Sequence, residues 1–366
     1  MQNERKPKIA VIGLKGLPAF GGAASVGENI VYQLKDDFDF TVYSISTHTS
    51  QGGVLNGYTQ IIFSQKKVNG FATFKYYLKS LFHSLFLAKY DLIHLHHSES
   101  GFITPFLRLK YKVVLTTHGA LSNKYDPKFN KITNLFFRFS ERINMIFANK
   151  IISVSKTDQQ YFEVYYKRKC FYIPNGVTPF KIIDTEKEYD ILFIAARIYE
   201  IKGLHILLEA VRKYNTYSRL LVIGDLNQDK TYQQKIKELS IGLNVEFLDL
   251  IKDRTLLSKY ILKSKLFVFP SLFEAMSMTL LEIISHKVPV LSSDIESVKC
   301  LFSEKEITFF EVNNSDDLAE KLKFCNENQP LIFQKSDNAY NKVMQYYTWD
   351  KISINYRNIF NELIET

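Results

Sequence analysis

The sequence predicts an α/β protein built from two doubly wound domains, each a parallel sheet covered by helices on both faces. Short, continuously apolar segments alternate with helical segments, which is typical of parallel strands buried on both sides. This alternation starts twice, at Lys8 and again at Asp190. With 366 residues, of which 46% are hydrophobic, the chain has enough apolar material for about two buried cores.

The first alternation occupies the N-terminal half. Its predicted strands are Lys8–Gly13, Phe40–Ser44, Tyr90–Leu95, Lys112–Thr117 and Lys150–Val154. Its predicted helices are Ala24–Leu34 and roughly Ala72–Ala88. Glycine and proline follow the first strand, as expected of a turn into a helix.

The second alternation repeats this rhythm. Its predicted strands are Asp190–Ile194, Arg219–Ile223, Val245–Leu248, Leu266–Phe269 and Val288–Leu291. Its predicted helices are Leu204–Tyr214, Thr231–Leu239 and Thr279–Ser285. Two prolines, a glycine and a charged stretch make Pro174–Glu188 the predicted linker between the domains, and Trp349–Leu363 is a final amphipathic helix.

Cysteine content and hydropathy restrict the class of protein. Three cysteines without a C-x-x-C pair argue against a disulfide framework or structural zinc and fit a reducing cytosol. The N-terminal residues run directly into a strand, so no leader peptide is expected. No apolar run reaches the ~18 residues of a membrane span. We therefore expect a cytoplasmic protein.

Charge is unevenly distributed. Residues 1–180 carry a balance of +12, and the remainder carries −3. A basic half suits nucleic acid, anionic lipid or phosphorylated substrates. Within it, Phe71–Tyr90 mixes seven aromatic residues with three lysines, which fits either a membrane-surface helix at the inner leaflet or a core helix of the first sheet.

The segment Phe269–Glu282 places a strand end, a loop with Glu274 and a helix start in succession, with Glu282 eight residues after Glu274. The free N–H groups of a helix start are a natural seat for phosphate or sugar oxygens. Carboxylates beside them can accept hydrogen bonds from vicinal hydroxyls. The alternative is a pair of solvated acids at a helix N-terminus, where acids are favoured anyway.

Arg197 and Lys202 follow the first strand of the second alternation, at the end of the sheet where α/β proteins bind ligands. Two cations there suit a diphosphate, because arginine offers a planar fork and lysine a point charge. Exposed cations without a ligand are the alternative, although the helix dipole disfavours them at that place.

Gly21 and Gly22 lie between the first strand and the first helix, and His118 directly follows the strand Lys112–Thr117. The glycines do not form G-x-G-x-x-G, so a plain turn is an equal alternative to a phosphate loop. A single histidine at a strand end is more often structural than functional.

Two patterns suggest metal sites at first inspection. His94 and His96 share one face of a strand beside His97, but only Glu99 could complete a ligand set, so a structural or acceptor-loop role is favoured. The D-x-D tripeptide Asp37–Asp39 lies between a helix and a strand and is interpreted as a solvated turn.

Taken together, these segments resemble the retaining GT-B glycosyltransferases of the family-4 type. Phe269–Glu282 is similar to their E-x7-E motif, and Phe193–Ala210 to their strand–loop–helix with an arginine and a Lys-Gly pair. Ile173–Val177 is similar to their motif at the end of the first domain. Thr116–Gly119 resembles their histidine motif, and Ile12–Gly22 their glycine-rich loop.

The resemblance implies two Rossmann-like domains facing each other across a cleft. Residues 1–178 would bind the acceptor, 189–345 would bind the nucleotide-sugar, and a helix within 346–366 would cross back to the first domain. It implies retaining transfer of a hexose, with UDP as the first choice of nucleotide. The acceptor would be a lipid-linked saccharide for bacterial surface polysaccharide. No cofactor, metal or nucleic acid is expected.

The resemblance also assigns residues. His118 and Glu274 would be catalytic, with His118 positioning the sugar and polarising the transition state. Arg197 and Lys202 would hold the phosphates, and Glu282 the ribose. The full expected donor site is Gly21, Gly22, Arg197, Lys202, Glu274, Ala275, Met276, Ser277, Met278, Thr279 and Glu282.

Four residues depart from the family pattern, because Ala275, Ser277, Asp249 and Lys287 stand where glycines are common.

Two other functions remain open. One is a nucleotide-sugar 2-epimerase on the same fold, which would act on donor alone. The other is a non-catalytic nucleic-acid binder using the basic half, which would bind in a salt-sensitive way.

Overall fold

The structure is a computed structural model and describes residues 5–19, 22–66, 70–120 and 131–366. Contacts divide the chain into two compact units. Unit 1 comprises Met1–Asn175 with Trp349–Thr366, and unit 2 comprises Gly176–Thr348. The boundary between Asn175 and Gly176 lies inside the predicted linker segment Pro174–Glu188.

Unit 1 contains an eight-stranded sheet, parallel except for one antiparallel edge strand. In sequence order its strands are β1 (Lys8–Lys15), β2 (Asp39–Ile45), β3 (Gly53–Leu55), β4 (Tyr58–Phe63), β5 (Leu92–His96), β6 (Lys112–Thr117), β7 (Lys150–Ser153) and β8 (Phe171–Tyr172). In space the order is β3-β4-β2-β1-β5-β6-β7-β8, so the direction of winding reverses between β1 and β5.

Helices cover this sheet. They are α1 (Gly22–Leu34), α2 (Gly70–Phe82), α3 (Thr104–Leu107), α4 (Lys131–Phe147), α5 (Lys156–Tyr166) and, from the end of the chain, α13 (Trp349–Glu365). A π-helical turn, His83–Leu87, extends α2, and a 3-10 helix, Ser98–Ile103, precedes α3. Trp349, Tyr356 and Phe360 of α13 are buried, and this helix contacts α1, β5 and β6.

Unit 2 contains a six-stranded, fully parallel sheet. Its strands are β9 (Tyr189–Arg197), β10 (Leu220–Asp225), β11 (Val245–Leu248), β12 (Ser264–Phe269), β13 (Val290–Ser293) and β14 (Thr308–Phe310). Its helices are α6 (Leu204–Tyr214), α7 (Lys230–Leu239), α8 (Arg254–Leu262), α9 (Met278–Ser285), α10 (Glu296–Lys299), α11 (Ser315–Glu327) and α12 (Gln329–Tyr346). The spatial order β11-β10-β9-β12-β13-β14 reverses between β9 and β12.

The predicted fold class is confirmed, since each unit is an α/β unit with a sheet that is parallel throughout, apart from edge strand β3 in unit 1. Several elements were not predicted: β3, β4, β8, β14, α3, α4, α5, α8, α10, α11 and α12. The strand expected at Val288–Leu291 begins two residues later, at Val290. Pro289 has no N–H to give the sheet, although its carbonyl accepts a hydrogen bond from the Phe267 N–H at 2.9 Å.

Candidate functional site

The reversal point of the unit 2 sheet brings together the expected donor residues of that unit. Strands β9 and β12 are neighbours and run in parallel, so their carboxyl ends share one edge of the sheet. Arg197 ends β9, and Phe269 ends β12, ahead of the loop with Glu274. In open α/β sheets this is where ligands bind.

Lys202 and Glu274 form an ion pair at this edge. The Lys202 ammonium nitrogen lies 2.5 Å from the Glu274 Oε1, and both side chains are largely shielded from solvent. The same carboxylate oxygen accepts a hydrogen bond from the Ser271 hydroxyl at 3.2 Å. Glu274 is therefore oriented by two neighbours, one on each side of the reversal point.

Backbone contacts fix the segments that carry this pair. The Leu272 N–H donates to the Ile201 carbonyl at 2.8 Å, which joins the Glu274 loop to the 3-10 turn Glu200–Lys202. Gly203 is the N-cap of α6 and has φ +71°. A Cβ atom there would lie 1.9 Å from the Pro270 carbonyl oxygen, so only glycine allows the two segments to approach this closely.

Glu282 lies one turn inside α9 and is paired with Arg254, the first residue of α8. The Arg254 guanidinium lies 2.7 Å from the Glu282 Oε1. Arg254 is mostly exposed, whereas Glu282 is partly buried. Nothing in the sequence indicated this partner, since Arg254 is simply the residue after the Asp253 N-cap of an unpredicted helix.

Arg197 is exposed at the end of β9, opposite Asp225 at the end of β10. The pKa of Asp225 is lowered first by hydrogen bonding from the Asn227 N–H, with a smaller contribution from the Arg197 charge. Arg197 therefore lies at the same sheet edge as Lys202, with its guanidinium open to a ligand.

The other expected donor residues of unit 2 form the entry to α9. Ala275 and Met276 lie in the loop, and the Ser277 hydroxyl caps the helix by accepting from the Leu280 N–H at 3.2 Å. Met278 and Thr279 are the first helical residues. Their backbone N–H groups belong to the helix N-terminus that the sequence predicted as a binding site for phosphate or sugar oxygens.

In unit 1 the expected residues lie at the carboxyl ends of β1 and β6. Gly22 is exposed and begins α1, while Gly21 lies outside the described residues. In the glycine-rich loop, Gly13 has φ +118°, and a Cβ there would lie 2.3 Å from the His96 carbonyl oxygen. Its N–H donates to the buried Tyr76 hydroxyl at 2.7 Å.

His118 belongs to a cluster of four histidines. Its Nε2 lies 3.1 Å from the Nδ1 of His96, and the two rings are stacked 5.4 Å apart. The His97 ring is 5.1 Å from His118, and the His94 ring is 4.2 Å from His96. His94 Nε2 also bonds the Thr116 hydroxyl at 2.8 Å.

Burial disfavours the charged form of these histidines. It lowers the pKa of His94 to about 3 and the pKa of His96 and His118 well below the ordinary value. A proton on a neighbouring histidine would lower the pKa of His96 and His118 further. In the neutral forms that burial favours, a single hydrogen occupies the His96–His118 contact, and each ring's tautomer depends on the other.

The residues of the two apparent metal patterns have other contacts. Asp37 pairs with the Arg357 guanidinium at 2.8 Å, and Asp39 begins β2. Among the described ranges, no group of three or more His, Cys, Asp or Glu is arranged to hold a metal ion.

No helix in the described part of the chain has the length and apolar content to cross a bilayer.

Two family models match consecutive parts of the chain. The model described as Glycosyltransferase Family 4 matches residues 20–179, and the model described as Glycosyl transferases group 1 matches residues 178–342. Their junction lies beside the boundary between units 1 and 2.

Two curated relatives come from Escherichia coli. The O-antigen biosynthesis glycosyltransferase WclY is 21% identical over 298 residues, covering 76% of this chain and 80% of the relative. A UDP-Gal:alpha-D-GlcNAc-diphosphoundecaprenol alpha-1,3-galactosyltransferase is 24% identical over 292 residues, covering 73% and 74%.

Solved structures share the fold at low identity. Sucrose-phosphate synthase from Thermosynechococcus elongatus has a TM-score of 0.84 at 16% identity, covering 99% of this chain and all of that one. Anabaena HepE in complex with UDP and glucose has a TM-score of 0.77 at 17% identity, covering 97% of this chain and all of that one.

Proposed function

The chain belongs to the GT-B glycosyltransferases of the group 1, family-4 type, and from this premise we propose that it transfers a hexose from a UDP-sugar to an acceptor hydroxyl with retention at the anomeric carbon. The proposed acceptor is a lipid-linked saccharide used for bacterial surface polysaccharide. The observation that carries the proposal is the Lys202–Glu274 pair at the reversal point of the unit 2 sheet.

The pair supports a diphosphate-sugar ligand because it places a cation and an acceptor side by side. We assign Lys202 and Arg197 to the diphosphate, whose negative charge grows as the nucleoside diphosphate leaves. Fixed cations can stabilise that charge without a metal ion, and the proposed reaction uses none. Arginine and lysine contribute differently, one as a two-point fork and one as a point charge.

Glu274 is assigned to the hydroxyls of the transferred sugar. Its Oε1 is occupied by Lys202 and Ser271, which leaves Oε2 to accept hydrogen bonds from sugar hydroxyls. Glu282 is assigned to the ribose hydroxyls. Arg254 binds its Oε1, which leaves Oε2 to accept from the ribose. The two carboxylates then act on different parts of one donor.

His118 is assigned to the donor sugar as a hydrogen-bonding group. Its lowered pKa supports a neutral role in positioning and polarisation. The contact with His96 occupies Nε2 of His118 and leaves Nδ1 for the sugar. Because a neutral imidazole has one donor and one acceptor nitrogen, the tautomer set by that contact decides whether Nδ1 donates or accepts. We assign it no covalent step.

The choice of UDP and of a lipid-linked acceptor draws on the neighbours named above. HepE was solved with UDP and glucose, and one relative is named for a diphosphoundecaprenol-linked acceptor.

A ligand screen followed by product analysis tests the proposal. UDP-sugars should raise the thermal unfolding temperature more than GDP- or ADP-sugars, because a ligand that binds the native state stabilises it by mass action. The product formed from an α-linked donor should carry an α-linkage by NMR. The proposal fails if no nucleotide-sugar or nucleoside diphosphate shifts unfolding, or if the new linkage is β.

A further inference from the structure

Helix α4 of unit 1 has its polarity reversed relative to an ordinary surface helix. The residues that it buries include Asn134, Ser140, Glu141 and Asn144. Those that it exposes include the large apolar side chains Ile132, Leu135, Phe139 and Ile146, which are 54–80% accessible. An apolar face turned outward marks an interaction surface when it is contiguous.

The buried polar residues of α4 are used within the unit. The Asn144 amide accepts from the Thr104 hydroxyl at 2.5 Å and donates to the Ser98 carbonyl at 3.0 Å. The Glu141 carboxylate accepts from the Tyr166 hydroxyl at 3.0 Å. These contacts fix the rotation of the helix, so its apolar face cannot turn inward without leaving buried polar groups unpaired.

The apolar face of α4 continues across the surface to α2. The Phe74 ring of α2 stacks on Phe102 at 4.9 Å, and Phe102 contacts Phe136 of α4 at 5.7 Å. Phe106 and Leu109, in and just after α3, are also exposed. We call this surface the α2–α4 face, defined by the exposed side chains of residues 70–89, 102–110 and 131–147.

The α2 side of the face has the same composition. Phe71, Phe82 and Phe86 are more than half exposed, and Lys75 lies over the Phe71 ring at 4.6 Å. The 21 residues from Gly70 to Tyr90 include no acid. In α4 the one acid is the fully buried Glu141. The exposed cations of the two segments are Lys75, Lys79, Lys89, Lys131, Arg138 and Arg142.

We propose that the α2–α4 face docks unit 1 onto an anionic lipid bilayer. Aromatic and aliphatic side chains can enter the headgroup region while the cations contact lipid phosphates, as in interfacial amphipathic helices. A second copy of this face would bring like charges together. The bilayer offers both the apolar interior and the negative charge that this composition requires.

Vesicle flotation with the full chain tests this proposal. The protein should float with phosphatidylcholine vesicles containing phosphatidylglycerol, and much less with phosphatidylcholine alone. Raising salt should weaken but not abolish binding, because the apolar contribution is not screened. Leu135→Ser with Phe139→Ser should lower partitioning at least tenfold, and Arg138→Gln with Arg142→Gln should lower it about fivefold for each cation removed.

Matched controls lie on unit 2. Tyr217→Ser with Ile241→Ser, and Lys230→Gln with Lys237→Gln, likewise remove two apolar side chains or two cations at exposed positions. These variants should float like the unchanged protein. Thermal unfolding and UDP binding of every variant should match the unchanged protein, which separates this proposal from the proposed catalytic function.

Three outcomes would overturn the docking proposal. The first is absence of flotation with anionic vesicles, and the second is equal loss in the face and control variants. The third is salt-sensitive binding of an oligonucleotide that the face variants abolish, with vesicle binding unaffected. Failure of UDP binding alone would instead contradict the proposed function.

Discussion

The ammonium of Lys202 lies 2.5 Å from the carboxylate of Glu274, although the two residues are 72 positions apart in the sequence. The two residues follow adjacent strands, β9 and β12, across the reversal point of the sheet. In the proposed site, the carboxylate that would bind the sugar hydroxyls and the ammonium that would bind the phosphates are thereby aligned before any substrate arrives. Pre-aligned polar groups act on a transition state without reorganisation at the moment of reaction.

Replacing Glu274 with alanine should abolish most turnover while leaving nucleotide binding intact. We expect kcat to fall by roughly 10²–10³, the usual loss of one well-placed polar group, because the sugar would lose its acceptor. Steady-state kinetics and UDP titration measure the two effects. Glu238→Ala, an exposed change on α7, is the control. A UDP Kd that rises in step with the fall in kcat would contradict the division of roles.

Replacing Glu282 should instead weaken the nucleotide itself. Loss of hydrogen bonds to a charged group costs about 1.5–3 kcal/mol, so Glu282→Ala should raise the Kd for UDP by tenfold or more. Arg254→Ala should produce a smaller increase, because it removes only the residue that orients Glu282.

A double-mutant cycle with calorimetric titration measures whether Arg254 acts through Glu282. The Arg254 substitution should have no further effect when Glu282 is already alanine. Lys259→Ala, exposed on the same helix α8, should leave UDP affinity unchanged. Additive effects of the two substitutions would contradict an orienting role.

Gly203 should tolerate alanine far less well than Gly242. Both have positive φ, at +71° and +77°, so alanine adds similar backbone strain at each. Only at Gly203 does the added Cβ meet the Pro270 carbonyl, whereas at Gly242 no atom lies within 4 Å. Denaturant unfolding and UDP binding should therefore both be impaired in Gly203→Ala. Equal effects of the two substitutions would show that close approach is not the cause.

The histidine cluster should make stability depend on acidity. The folded pKa of His94 is about 3, and those of His96 and His118 are well below ordinary values, so the unfolded chain binds more protons once the pH falls below ~6.5. The free energy of unfolding should fall from pH 6.5 towards pH 3, by up to about 1.4 kcal/mol per pH unit for each histidine.

Chemical denaturation at several pH values measures this slope. His94→Gln should make it shallower, since one buried histidine is removed. An unchanged slope in that variant would exclude His94 from the effect.

The sequence predicted the fold because continuous apolar strands between helices leave few other arrangements. It also predicted Arg197, Lys202, Glu274 and Glu282 as candidates, the first two from their place at a strand end and the last two chiefly from resemblance. It did not predict the ion pairs, because pairing depends on which strands are neighbours. Arg254 escaped notice since its partner is 28 residues away.

The reversed polarity of α4 shows a further limit. Helical periodicity shows that the two faces of a helix differ in polarity, but it does not show which face packs against the rest of the protein. In α4 that choice is made by Thr104, Tyr166 and Ser98, which supply partners for its polar side chains from distant parts of the sequence. The orientation of α4 therefore follows from tertiary contacts and could not be predicted from its own sequence.

The position of α13 has a consequence for biogenesis. The 173 residues of unit 2 are inserted between the body of unit 1 and the helix that buries Trp349, Tyr356 and Phe360 in it. A ribosome delivers the chain from the N-terminus, so unit 2 can mature while unit 1 still lacks this helix. Unit 1 is thus begun first and completed last, and nascent chains stopped before Trp349 would present its uncovered apolar surface to chaperones.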